Sequence, residues 1–109
     1  MTDNWEMVEE AFARIDNYPA WRPIVAAMRR LVVMIRGDSR FHDVEPSVSH
    51  AYLVFRRHGK PIVLVGWNVD DRSYGVAFIE PGFEMRAYRR VKKSSVLDVL
   101  HEYLQQAAP

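Results

Sequence analysis

Cysteine is absent from this chain of 109 residues, and its absence excludes a disulfide framework and any thiolate chemistry. The lack of disulfides is compatible with a reducing compartment. No apolar run approaches the roughly 20 residues that a helix needs to span a bilayer. The first residues are polar and acidic, unlike a secretory signal. We therefore expect a cytoplasmic protein that does not enter a membrane.

The motifs of several enzyme classes are also missing. The five glycines form neither a GxGxxG nor a Walker pattern, so a nucleotide-binding loop is not indicated. No serine lies in a GxSxG-type elbow, and no HExxH spacing occurs. We accordingly expect no cofactor, and an enzyme is the less favoured class of protein.

The composition that remains is that of an ordinary globular protein. Hydrophobic residues make up 49% and charged residues 27% of the chain, with a formal net charge of +1. At this length the sequence predicts one domain over residues 1–109.

The centre of the sequence, residues 48–91, carries the patterns of four β-strands. Residues 48–55 and 73–79 alternate with the period of two that a strand requires. Residues 62–67 are almost continuously apolar, which is typical of a central strand covered on both faces. Residues 83–91 alternate again. One face of this last strand is predicted to hold Phe83, Met85, Ala87 and Val91. Each connection is too short for a crossover helix, so neighbouring strands should be antiparallel.

Helical patterns flank this meander on both sides. Apolar residues recur at helical spacing over residues 4–16, where Asp3 is a suitable N-cap, and again from about residue 20 to Gly37. A third helix is predicted to begin after Ser94 or Ser95. The sequence thus predicts an α+β fold of two N-terminal helices, a four-stranded antiparallel β-meander and a C-terminal helix. The second and third helices should lie on one face of the sheet. Between the last two strands, Pro81 and Gly82 have the chemistry of a type II turn.

One short segment holds the residue types of a metal or acid–base site. Imidazole and carboxylate groups bind metal ions and transfer protons near neutral pH. The candidates are His42, Asp43, Glu45 and His50. Their spacing matches no known ligand motif, and His50 is also interpretable as a polar residue of a strand. A small enzyme or metal site here is the least favoured hypothesis.

The densest run of positive charge lies in the last strand and continues past it. Arginines on either side of an aromatic residue can hold phosphate groups and stack on a base, which indicates a nucleic-acid-binding module as one alternative. The candidate residues are Arg56, Arg57, Lys60, Arg86, Tyr88, Arg89, Arg90, Lys92 and Lys93. The competing interpretation is that these charges protect a sheet edge from aggregation.

Three aromatic residues of the meander are candidates for an interaction surface. They are Trp67, Tyr74 and Tyr88. If the second face of the sheet is uncovered, they form an exposed aromatic surface of the kind that binds partners; if a helix covers it, they belong to the core. The favoured hypothesis is a small non-enzymatic protein-interaction domain. Its partner would be another protein, in an immunity- or antitoxin-like role, or a second copy of the chain in a homodimer.

Overall fold

The computed structural model describes residues 4–80 and 84–106. Its elements, in chain order, are helix α1 (Asn4–Ile15), a 3-10 turn (Pro19–Trp21), helix α2 (Arg22–Arg36), a 3-10 turn (Ser39–Phe41), strands β1 (Glu45–Ser49), β2 (Tyr52–Arg57), β3 (Lys60–Asn68), β4 (Ser73–Glu80) and β5 (Glu84–Val91), and helix α3 (Val96–Gln106). The five strands form one antiparallel sheet in the order β1-β2-β3-β4-β5. The predicted α+β class, with helices packed on an antiparallel sheet, is confirmed. The strand count is five rather than four.

The additional strand arises because residues 48–55 hold a hairpin, where one strand was predicted. His50 and Ala51 form a two-residue loop between the paired residues Ser49 and Tyr52. Both loop residues have positive φ, 51° and 69°, which is the pattern of a type I′ hairpin turn. Such turns are normally indicated by Asn-Gly or Asp-Gly, and His-Ala carries no comparable signal.

A β-bulge corrects the predicted face of Met85. Phe78 pairs with Ala87, but the next residue of β4, Ile79, pairs with Met85, so Arg86 is an extra residue in β5. This shift places Met85 with Ile79 on the face opposite Ala87, because one inserted residue reverses the alternation. Met85 is accordingly 61% exposed.

All three helices pack on the same face of the sheet and form the hydrophobic core with it. The buried cluster joins Phe12 of α1, Met28 and Leu31 of α2 and Leu100 of α3 to strand residues such as Phe55. Proline is tolerated only in the first turn of a helix, so α2 begins next to Pro23. Its apolar stripe then faces the sheet, as its sequence period requires. The predicted cap Asp3, the predicted turn at Pro81 and Gly82, and Phe83 lie outside the described residues.

Candidate interaction surface on the helix-free face of the sheet

The face of the sheet opposite the helices, here called the helix-free face, carries a row of paired residues that is apolar at its centre. The residues of this row pair across all five strands: Ser47, Val54, Leu64, Ala77 and Tyr88. Val54 and Ala77 are buried, with 0% and 1% exposure, yet neither belongs to the hydrophobic core cluster. These two residues are therefore buried outside the core that the helices close.

Two tyrosines lie flat on this face because glycines leave room beneath them. Gly66 and Gly75 pair with each other on β3 and β4. A Cβ atom at Gly66 would lie 2.5 Å from Cε1 of Tyr52, and one at Gly75 would lie 2.5 Å from the hydroxyl oxygen of Tyr88. Tyr52 is 45% exposed and Tyr88 43% exposed. Each ring therefore contacts the sheet with part of its surface and presents the rest to solvent.

A hydrogen-bonded network lies at the end of the helix-free face near the β3–β4 turn. Asn68 Nδ2 donates to the hydroxyl groups of Ser73 and Tyr88, 3.3 Å away in both cases. Ser73 Oγ donates to Asp71 at 2.6 Å, and the Arg90 guanidinium donates to the other carboxylate oxygen at 2.8 Å. The Ser73 hydroxyl, with Arg90, holds the pKa of Asp71 below its ordinary value. The network fixes the Tyr88 hydroxyl at this end of the face.

The three predicted interaction residues do not share this face. Tyr88 lies on it, as described above. Tyr74 is 1% exposed and lies under α2, where its hydroxyl donates to the Ala27 carbonyl at 2.7 Å, and burial raises the pKa of its phenol. Trp67 is half-buried and packs edge-on against Tyr74. Placement of Tyr74 and Trp67 on an outer face is therefore corrected: residues 67 and 74 pair directly, so both side chains point to the helices.

Tyr52 was not among the candidate residues predicted from the sequence. The alternation of residues 48–55 does place Tyr52 and Val54 on one face of the strand. It does not predict which face the helices cover. Gly66 was the available signal, because a glycine inside a strand often marks a close approach by another group.

The basic residues are divided between the two faces of the sheet. Arg90 lies on the helix-free face, whereas its neighbour Arg89 pairs with Glu102 of α3 at 3.3 Å. Arg57 donates to the Leu104 carbonyl at the end of α3. Arg56 Nε donates to Ser47 Oγ on β1. Lys60 and Arg86 are exposed at one end of the sheet, and Lys92 and Lys93 follow the opposite end of β5. Arg86 thus lies at the same end of the sheet as Arg56, Arg57 and Lys60, whereas Lys92 and Lys93 lie at the other end, so the predicted basic residues do not form one surface.

The four residues of the metal or acid–base hypothesis lie apart. Glu45 begins β1 and His50 follows its end, a separation of about 16 Å along an extended strand. Glu45 accepts a hydrogen bond from the His58 backbone amide, and His42 Nδ1 lies 2.9 Å from the Ser39 carbonyl oxygen. Asp43 is exposed. Within residues 4–80 and 84–106, no group of three or more histidine or acidic residues has the geometry of a metal site.

Comparison of the chain with protein-family models, with curated proteins and with solved structures finds no match. Among the described helices, none has the length and apolar character needed to cross a membrane.

Proposed function

We propose that this chain is a non-enzymatic interaction protein that binds a protein surface through its helix-free face. The observation that carries the proposal is the pair of half-exposed tyrosines, Tyr52 and Tyr88, on an apolar face that no described helix covers. Tyrosine is enriched at interfaces because its ring is apolar and its hydroxyl remains able to hydrogen-bond. An exposed apolar area rimmed by polar groups, here the network of Asp71 and Arg90, is typical of an interaction site.

The size of the face is sufficient for a weak or transient protein interface. Five strands about 4.8 Å apart, with an average length of about seven residues, give a face of about 24 by 24 Å, or ~570 Å². Two such faces would bury ~1,100 Å², an area in the range of weak and transient complexes. Two sheets that stack by their apolar faces also form a common, stable arrangement. A second copy of the chain is therefore the first partner to test, and a different protein, in an immunity- or antitoxin-like role, is the second.

Self-association is tested by light scattering behind a sizing column over a wide range of protein concentrations. We expect a dimer whose population rises with concentration and is lost in Tyr52→Ser and Tyr88→Ser. Tyr18→Ser is the matched control, because Tyr18 is 65% exposed but lies in the segment between α1 and α2. A wild-type chain that stays monomeric throughout, or a dimer unaffected by both face variants, contradicts self-association.

Binding to a different protein is tested by site-specific crosslinking in the cells that produce the chain. A photoreactive residue placed at position 88 should form a discrete adduct, whereas the same residue at position 18 should not. Loss of that adduct in the Tyr52→Ser background would tie it to the helix-free face. Failure of both the dimer and the adduct overturns the proposed function.

A second candidate function is binding of single-stranded nucleic acid. It is favoured by one observation: Tyr52 and Tyr88 lie flat on the sheet, and Arg90 lies on the same face. Aromatic rings on an antiparallel sheet stack on bases, and nearby arginines contact phosphates. Fluorescence anisotropy with labelled single-stranded RNA and DNA should then show binding that weakens steeply with added salt.

Adjacent arginines of β5 provide the matched pair for this candidate. Arg90→Gln should weaken nucleic-acid binding, whereas Arg89→Gln should not, because Arg89 faces α3. Absence of salt-sensitive binding by the folded wild-type chain would remove this candidate and leave the protein-interaction proposal untouched.

A further inference from the structure

A groove lies where the end of α1 meets the turn between β1 and β2. It consists of two cavities of about 260 and 450 Å³ that share Ile15, Tyr18 and His50 as lining residues. The smaller cavity continues to Trp21 and Ala51, and the larger one to Arg14 and Asn17. The groove therefore has an aromatic end and a polar end joined by the same three side chains.

The aromatic end has the size of a single side chain or a small ring. Its volume lies just below the range of about 300–1,000 Å³ typical of sites for drug-sized ligands. Tyr18 and Trp21 stay 65% and 42% exposed, although both are large aromatic residues. Two exposed aromatic walls beside Ile15 favour an apolar, preferably planar, group between them.

The polar end carries positive charge and hydrogen-bond donors. Within the part of the chain that the structure describes, the Arg14 guanidinium forms no ion pair or side-chain hydrogen bond. His50 Nδ1 lies 3.2 Å from Ser49 Oγ, and its Nε2 has no partner among the same residues. Guanidinium and imidazole N–H groups form charge-assisted hydrogen bonds with carboxylates.

The turn between β1 and β2 places the histidine at the groove. His50 and Ala51 both have positive φ, which is uncommon for residues with a side chain, although histidine is among the residue types enriched there. Uncommon backbone conformations of this kind cluster at ligand-binding positions, where the surrounding structure maintains them.

We propose that this groove binds an apolar carboxylate, with the apolar group between Tyr18, Trp21 and Ala51 and the carboxylate at Arg14 and His50. Two sources supply this chemistry: a small aryl or alkyl carboxylic acid, and the free C-terminus of a peptide that ends in an apolar residue. The proposal goes beyond the function proposed above and does not depend on it.

The test is a nuclear magnetic resonance titration that follows the indole N–H signals of the three tryptophans. The Trp21 signal is assigned from its disappearance in Trp21→Phe. The probe is 3-phenylpropionate, and its uncharged control is 3-phenylpropionamide. We expect the acid to shift the Trp21 signal with a Kd of about 1 mM, as befits a ligand of this size. The amide should bind about tenfold more weakly, because it lacks the charge-assisted hydrogen bonds.

Two exposed arginines give the matched variants. Arg14→Gln should remove the difference between acid and amide, whereas Arg29→Gln, on α2 outside the groove, should leave it unchanged. His50→Asn tests the second donor, since asparagine tolerates the positive φ of this turn and keeps its fold. It should reduce the preference for the acid without shifting the unliganded spectrum beyond the turn.

Peptides separate the two sources. A short peptide ending in phenylalanine with a free carboxylate should bind more tightly than the same peptide amidated if a protein C-terminus is the occupant. If 3-phenylpropionate binds and neither peptide does, a small acid is the occupant. The proposal is overturned if neither probe moves the Trp21 signal, if acid and amide bind equally to the wild type, or if Arg14→Gln changes nothing.

Discussion

The two faces of the sheet achieve burial by different means. On β2, Leu53 and Val54 are neighbours with 0% exposure, but only Leu53 belongs to the core that the helices close. Val54 lies on the helix-free face among the row that ends at Tyr88. Side chains of strands and helices together fill the space between sheet and helices, whereas on the other face Tyr52 and Tyr88 lie over Gly66 and Gly75. A buried position on a strand therefore does not by itself indicate a covering helix.

The largest expected effect separates these two kinds of burial on a single strand. Phe55→Ala should lower the free energy of unfolding by about 3–5 kcal/mol, because it leaves a cavity between the sheet and the helices. Tyr52→Ala should cost about 1 kcal/mol, since its ring is already half in solvent. Urea denaturation measures both. Equal costs would mean that the helix-free face is as essential to stability as the core, contrary to the comparison.

The turn that joins β1 to β2 holds two residues with positive φ. Replacing them with residues that favour this conformation should stabilise the chain. The double variant His50→Asn/Ala51→Gly introduces the residues that a type I′ turn prefers at positions where φ is already positive. We expect a gain of about 1 kcal/mol in the free energy of unfolding. Thermal and urea denaturation report this gain, and Ala26→Gly on the exposed side of α2 is a control in which glycine should destabilise instead. A less stable double variant would contradict the assigned turn.

Removing one tyrosine hydroxyl from each face of the sheet compares a buried hydrogen bond with an exposed one. Tyr74→Phe loses a buried hydrogen bond of 2.7 Å to the Ala27 carbonyl and should cost about 1 kcal/mol. Tyr88→Phe loses an exposed contact of 3.3 Å with Asn68 and should change stability by less than about 0.5 kcal/mol. The ordering of the two values, measured by urea denaturation, is the decisive quantity.

The smallest expected effect concerns two aspartates, Asp38 next to α3 and Asp71 in the β3–β4 turn. Hydrogen bonds from Arg40 lower the pKa of Asp38 from 3.8 to about 2. Hydrogen bonds from Ser73 and Arg90 lower the pKa of Asp71. A carboxyl whose pKa is lower in the folded state stabilises the fold above its unfolded pKa. That stability is lost as the pH falls, for Asp38 between about 4 and about 2.

Asp38→Asn and Asp71→Asn should each therefore flatten the acid end of a stability–pH curve, and should leave its slope above pH 5 unchanged. Both carboxyls are partly solvent-exposed, so the changes should be small. Glu10→Gln, an exposed residue of α1, is the control. An acid transition identical in all three variants would show that neither network contributes.

Local patterns predicted much of the fold and less of the site. The apolar stripe of α2 and the alternation around Tyr74 were sufficient to predict a helix and a strand, because side-chain direction repeats at 3.6 and at 2 residues. The split at His50 was not predictable, since its turn type depends on φ values that the residues themselves do not favour. The position of Met85 was likewise lost, because a bulge reverses every side chain beyond it.

The sequence by itself determined which residues share a face within each uninterrupted stretch of strand, where α2 begins, and that the strands are antiparallel. Only the tertiary structure decided which face the helices cover, and thereby that Tyr74 is core while Tyr52 and Tyr88 lie on the helix-free face. It also brought Arg14 of α1 to the turn at His50 to form the groove. The physical reason is that periodicity is set by neighbours along the chain, whereas the choice of face and the assembly of a groove depend on contacts between residues distant in sequence.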